Sequence, residues 1–185
     1  MSLRLIRLAD LVEVPWKNGG GVTREIARQD ADGALVWRLS MADVATDGPF
    51  SDFAGMTRIL TVVQGGGMTL CGPEGDLDAA PGVPVTFDGG TPIVSRLKAG
   101  PLRDLNLIFD PARCTGRVRV LNGPGQDSHP CEPGATLGVH CMAGDVAIGA
   151  VRLGPGDTVL SDGAPLRLAL GSGAAALLID LVPVP

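Results

Sequence analysis

Apolar and polar residues alternate along most of this chain. In Val36-Trp37-Arg38-Leu39-Ser40-Met41, Trp37, Leu39 and Met41 fall on one side of an extended strand, and Arg38 and Ser40 on the other. Asp104-Leu105-Asn106-Leu107 repeats the arrangement, with Asp104 and Asn106 opposite the leucines. Apolar runs over residues 58–63 and 67–70 flank a Gly65-Gly66 turn, and a run over 83–87 lies between Pro81-Gly82 and Asp88-Gly89-Gly90. Further strands are predicted over 116–121, 145–153, 158–160, 166–170 and 175–182. A helix is predicted only over 7–13, and a long loop over 123–138, which is rich in Gly and Pro. Short strands between such turns predict an all-β sandwich or barrel.

The pattern also repeats internally. Residues 81–92 run Pro-Gly, a short strand, Asp-Gly and then Pro; residues 155–165 do the same. In both places an apolar strand, a Gly-containing turn and another apolar strand follow. Pro-Gly and Asp-Gly are common turn chemistry, but their shared order and spacing favour a duplicated β-barrel lobe. The expected division is 1–111 and 112–185, the two lobes forming one compact unit.

Composition narrows the function classes. A chain of 185 residues with 45% hydrophobic residues is long enough for one good core or two small lobes. Its net charge of -5 and the lack of a basic cluster argue against nucleic acid or an anionic membrane as partner. No uninterrupted apolar stretch approaches the roughly 18 residues of a membrane span, and the N-terminus has no signal-like apolar core. The expectation is a cytoplasmic protein. Cys71, Cys114, Cys131 and Cys141 form no CxxC pair and read as free thiols. His129, Cys131, His140 and Cys141 are spaced irregularly for zinc, so no metal or other cofactor is expected.

The densest chemistry lies in Pro15-Trp16-Lys17-Asn18-Gly19-Gly20-Gly21-Val22-Thr23-Arg24-Glu25. A phosphate loop would place Lys after the glycines, and a dinucleotide fingerprint would need Gly where Arg24 stands. Neither fits. Lys17 and Glu25 form the natural ionic pair of this segment, on the surface or at a ligand. Trp16 offers either a stacking platform or a core plug. The polar faces carrying Arg38, Ser40, Asp104 and Asn106 are either solvent faces or the lining of a barrel lumen. Period-two alternation does not distinguish them. With two histidines, both late in the chain, and no Gly-x-Ser-x-Gly elbow, no catalytic triad is assembled.

Residues 15–21 with Thr23 and Glu25-Ile26 resemble the opening signature of the HutD/Ves family. The resemblance continues through 37–40, 48–55, 58–62, 65–68 and 104–107, covering the first 110 residues densely and the remainder loosely. It implies an all-β double-stranded β-helix (cupin) duplicated as a bicupin, with at most one or two short helices. It also implies a small bacterial protein associated with histidine utilisation that binds an intermediate such as N-formylglutamate or urocanate and moderates the pathway. No secure catalytic activity comes with the family, and no catalytic residue is assigned.

On this reading Arg38, Arg58 and Lys17 hold carboxylates. Asn18, Thr23, Ser40 and Asn106 read amide or formyl groups, Glu25 and Asp104 orient the cations, and Trp16 flanks the ligand. Three alternatives stand beside it. One is a metal-free isomerase or hydrolase with Glu25 or Lys17 as base, one a stress-linked Ves-like protein, and one an interaction module whose polar faces point outward. Open barrel edges leave room for a homodimer.

Overall fold

The computed structural model describes residues 2–184. In chain order the first strands are β1 (Ser2–Ile6), β2 (Glu13–Pro15), β3 (Gly21–Ala31), β4 (Ala34–Val44), β5 (Gly48–Pro49), β6 (Thr57–Gln64), β7 (Met68–Gly72), β8 (Gly75–Ala79), β9 (Val85–Asp88), β10 (Val94–Leu97) and β11 (Leu102–Phe109). They are followed by β12 (Cys114–Asn122), β13 (Gly125–His129), β14 (Thr136–Ala143), β15 (Val146–Ile148), β16 (Val151–Leu153), β17 (Thr158–Asp162), β18 (Leu166–Leu170) and β19 (Ala175–Pro183). The helix expected over 7–13 reduces to a 3-10 turn at Leu8–Asp10. None of its residues is buried, so it has no apolar face to hold a longer helix in place. The long loop expected over 123–138 contains β13, whose exposed Gln126, Asp127 and Ser128 conceal its extended backbone from a hydrophobicity reading.

The chain divides into two units: Val12–Arg113, and the segment up to Leu11 together with the segment from Cys114 onward. The boundary expected at 111/112 lies close to the second crossing, but the first eleven residues do not go with the first lobe. β1 pairs antiparallel with β17, from Leu3↔Ser161 to Ile6↔Thr158. Asp157 fixes the connection. Its carboxylate accepts hydrogen bonds from Leu8 N–H (3.0 Å), Gly154 N–H (3.0 Å) and the Arg7 guanidinium (2.7 Å). Although burial pushes its carboxyl up, those donors hold it below the usual carboxylate range.

The strand orders reveal the duplication. Val12–Arg113 contains sheets β2-β3-β4-β11-β6-β9 and β5-β10-β7-β8. The other unit contains β1-β17-β14-β19-β12 and β13-β18-β15-β16. β4-β11-β6-β9 thus corresponds to β12-β19-β14-β17, and β5-β10-β7-β8 to β13-β18-β15-β16. The matching Pro-Gly segments lead into β9 and β17, as the sequence repeat requires.

In Val12–Arg113, Ala42, Val44, Leu60, Val62 and Leu102 of one sheet meet Met68, Leu70 and Ala79 of the other. Each fully buried aliphatic side chain of this size contributes about 1.5–3 kcal/mol. In the other unit Leu137, Val139, Cys141, Ala176 and Leu178 meet Val146, Ile148, Leu153, Leu166, Leu168 and Leu170.

Candidate functional site

The inward face of the six-stranded sheet changes character along its length. At one end Val44, Leu60, Val62 and Leu102 join the apolar core. Toward the other, register brings polar positions side by side: Asn106 pairs with Ser40 and Leu60, Asp104 with Ala42 and Val62, and Ile108 with Arg38 and Arg58. Arg38, Ser40, Ala42, Arg58, Asp104, Asn106 and Ile108 line a pocket of about 540 Å³, together with Pro15, Trp16, Lys17, Asn18, Thr23, Pro49, Phe50, Ser51 and Phe53.

Arg58 is its most unusual element. The residue is 6% exposed, and its Nη2 donates to Asn106 Oδ1 at 2.6 Å. Its Nε is buried without a hydrogen-bond partner. Phe50, Phe87 and Phe53 stand 4.6, 5.2 and 5.8 Å from the guanidinium carbon, so three of the chain's four phenylalanines surround one cation. Burial lowers the Arg58 pKa to about 10, opposed by the attraction of Asp104 and aided by Arg38, which leaves it charged at neutral pH.

Asn106 turns its other end to Asp104, donating through Nδ2 to Oδ1. Asp104 is 1% exposed, and burial raises its carboxyl to about 7 against the pull of Arg58 and the Asn106 bond. The result is a buried chain Arg58–Asn106–Asp104 in which a neutral amide separates the charges.

The Gly-rich segment forms one wall. Asn18 Oδ1 accepts from Gly20 N–H at 3.0 Å, and Gly19 turns the chain at φ 71°. At Gly21 an added Cβ would strike the Asp43 carbonyl oxygen and lie 3.1 Å from the Trp16 ring. Only glycine lets the ring close down there. Trp16 Nε1 then donates to Thr23 Oγ1 at 2.7 Å, fixing the indole against the start of β3. The opposite lip, carrying Phe50 and Phe53, is tied down by Phe50 N–H to Ile93 O and Phe53 N–H to Gly89 O, both 2.9 Å.

The expected site residues Trp16, Lys17, Asn18, Thr23, Arg38, Ser40, Arg58, Asp104 and Asn106 all lie along this pocket. Glu25 does not line it. Its side chain is 40% exposed and accepts from Arg38 Nε at 2.9 Å, so the expected Lys17–Glu25 pair is replaced by Arg38–Glu25. The reason is topological: β2 accompanies β3 only from Val22 to Arg24, and beyond that point β3 has solvent at its flank. Lys17 is exposed at the mouth and makes no ion pair among the described residues. Glu25 therefore lacks the burial that its use as a general base would need.

Sequence reasoning did not select Phe50, Phe53, Ser51 or Ile108. The phenylalanines sit in a segment without strand periodicity, and their scarcity was the available signal. His129, Cys131, His140 and Cys141 lie outside this pocket. His140 Nδ1 is 2.9 Å from Thr158 Oγ1, Cys131 donates to Ala135 O, and His129 lies 3.1 Å from Asp127. No group of three or more His, Cys, Asp or Glu positioned for a metal occurs among the described residues. Nor is any helix there long and apolar enough to cross a membrane.

Comparison with known proteins agrees with this architecture. The HutD family profile matches residues 8–178. A Pseudomonas putida protein described as an uncharacterized 21.2 kDa protein in the hutC 3' region is 41% identical over 130 residues, 66% of each chain. Protein Ves from Citrobacter koseri is 36% identical over 110 residues, 58% of each chain. The match thus spans somewhat less than two thirds of these curated relatives. The solved structure of HutD from Pseudomonas fluorescens SBW25, in a formate condition, superposes with a TM-score of 0.87 at 35% identity, covering 100% of both chains. More remote cupin-type structures, 11–13% identical, share the fold alone. The chain is a member of the HutD family, cupin in fold.

Proposed function

We propose that the pocket of Val12–Arg113 binds a small carboxylate metabolite, a histidine-degradation intermediate such as N-formylglutamate or urocanate, and that binding moderates histidine utilisation. The observation that carries this reading is Arg58: a charged guanidinium held inside the barrel, its Nε buried without a partner, on a residue that lines a cavity of metabolite size. A buried cation with an open donor is costly unless an anion completes it. A ligand carboxylate supplies both the charge and the acceptor. Arg38 and Lys17 extend the positive field toward the mouth. Asn18, Thr23 and Ser40 offer groups for an amide, formyl or imidazole function, and Trp16, Phe50 and Phe53 flank its flat or apolar part. The binding mode uses the chain's own cations and needs no cofactor.

A thermal-shift series with urocanate, N-formylglutamate, formiminoglutamate, glutamate and histidine tests it. A ligand at about 100 times its Kd adds about 2.7 kcal/mol of stability. At least one carboxylate intermediate is expected to raise Tm, and Arg58→Leu to abolish the rise. No shift with any of them at millimolar concentration would overturn the proposal.

A further inference from the structure

We propose that the pocket takes up its carboxylate ligand together with one proton, which lodges on Asp104. The inference rests on the carboxylate reading above and adds the linkage that governs affinity. Asp104 lies on the inward face beneath the polar end of the pocket, and it accepts a hydrogen bond from a neutral amide, Asn106. Arg58, held on the far side of that amide, makes no direct ion pair with it among the described residues.

No other charge compensates Asp104 closely. β4 presents Ala42 and Ser40 toward it, β3 Thr23, and β6 Val62, with Arg58 four residues earlier on the same strand. The facing sheet contributes Met68 and Leu70 to the same core. Arg38 is engaged by Glu25, and Lys17 is exposed at the mouth. Asp43 follows Ala42 on the opposite face of the sheet, where Arg24 and Arg103 hold it.

A ligand carboxylate on the Arg58 guanidinium brings a second anion to a site with one buried cation. Two carboxylates sharing one guanidinium away from water do not both remain ionised. The ligand keeps direct contact with the cation, so Asp104 is the group that gives way. Its carboxylate forms an O–H bond with a proton drawn from solvent, and the ligand stays anionic. Burial has already brought Asp104 to about 7, and the additional anion raises it further, so that the bound state stays protonated where the free state is ionised. Above that pH affinity should fall about tenfold for each pH unit, the slope of one linked proton, and below it the dependence should flatten.

Titration calorimetry with urocanate and N-formylglutamate as probes, near pH 8 in buffers of different ionisation enthalpy, tests this directly. The expected result is uptake approaching one proton per ligand bound, and no uptake per ligand bound by Asp104→Asn, whatever its affinity. Binding whose enthalpy is the same in every buffer would overturn the proton linkage and leave the carboxylate reading standing. Absence of binding by either probe at any pH would overturn both. The wild-type buffer series is decisive by itself should the variant fail to fold.

Discussion

The two units share a strand order but differ in what fills their barrels. Leu60 pairs with Val85 and Asn106; Val139, its counterpart, pairs with Val159 and Leu178. By the same register Arg58 corresponds to Leu137, Asp104 to Ala176 and Asn106 to Leu178. The three groups that make one interior a charged pocket are replaced in the other by aliphatic side chains, all part of its closed core. A single framework thus supports a cavity or a solid core, and three inward positions account for much of the difference. Stability favours the solid version. The polar version keeps a buried cation with an open donor and a buried carboxylate, as expected where a ligand is to complete the arrangement.

Placing the polar chemistry in the closed barrel should have the largest effect. Leu178→Asn buries an amide among aliphatic neighbours and removes packing at a position with no exposure, and is expected to cost about 3–5 kcal/mol in denaturant unfolding. An effect below about 1 kcal/mol would mean that this interior is not the solid core described.

The second effect is a pH dependence that originates in the open barrel. Asp104 has a folded pKa of about 7, above the unfolded value of 3.8, so the folded state holds the extra proton between those limits. Its contribution is fully favourable below about pH 4 and is lost as pH rises through 7, by up to about 4 kcal/mol. Asp43 and Asp157 act in the opposite sense: their lowered pKa values stabilise the fold above the usual carboxylate range and are lost only in stronger acid. Unfolding free energies from pH 4 to 8 should therefore decline for the native chain and flatten for Asp104→Asn. An equal slope in both would remove Asp104 from the account.

Converting the open barrel to the closed pattern, with Arg58→Leu, Asp104→Ala and Asn106→Leu together, should be neutral or raise stability by about 1–4 kcal/mol while abolishing ligand binding. A strongly destabilised triple variant would show that the polar chain is a structural strut.

Much of this contrast could be read in the sequence. Alternation in 36–41 and 104–107 put Arg38, Ser40, Asp104 and Asn106 on common faces, and the Pro-Gly/Asp-Gly repeat exposed the duplication. The same alternation serves a wet outer face and a polar lumen, so sequence alone left the direction open. Only pairing through β11 brings Asn106 beside Ser40 and next to Arg58. Long-range pairing also explains the first strand: no local signal ties residues 3–6 to 158–161. Glu25 lies outside the pocket because the strand that would cover it ends opposite Arg24, an end that no local pattern marks. Phe50 and Phe53 were missed because their segment is held by backbone bonds to Ile93 and Gly89 and lacks periodicity of its own.

The most direct test of the central claim is a crystal structure with urocanate or N-formylglutamate bound. The expected result is a ligand carboxylate at hydrogen-bond distance from the Arg58 guanidinium, inside the pocket of Val12–Arg113, with the second barrel filled and dry. A ligand seated in the second barrel or on the outer surface, with Arg58 Nε still unpartnered, would contradict it.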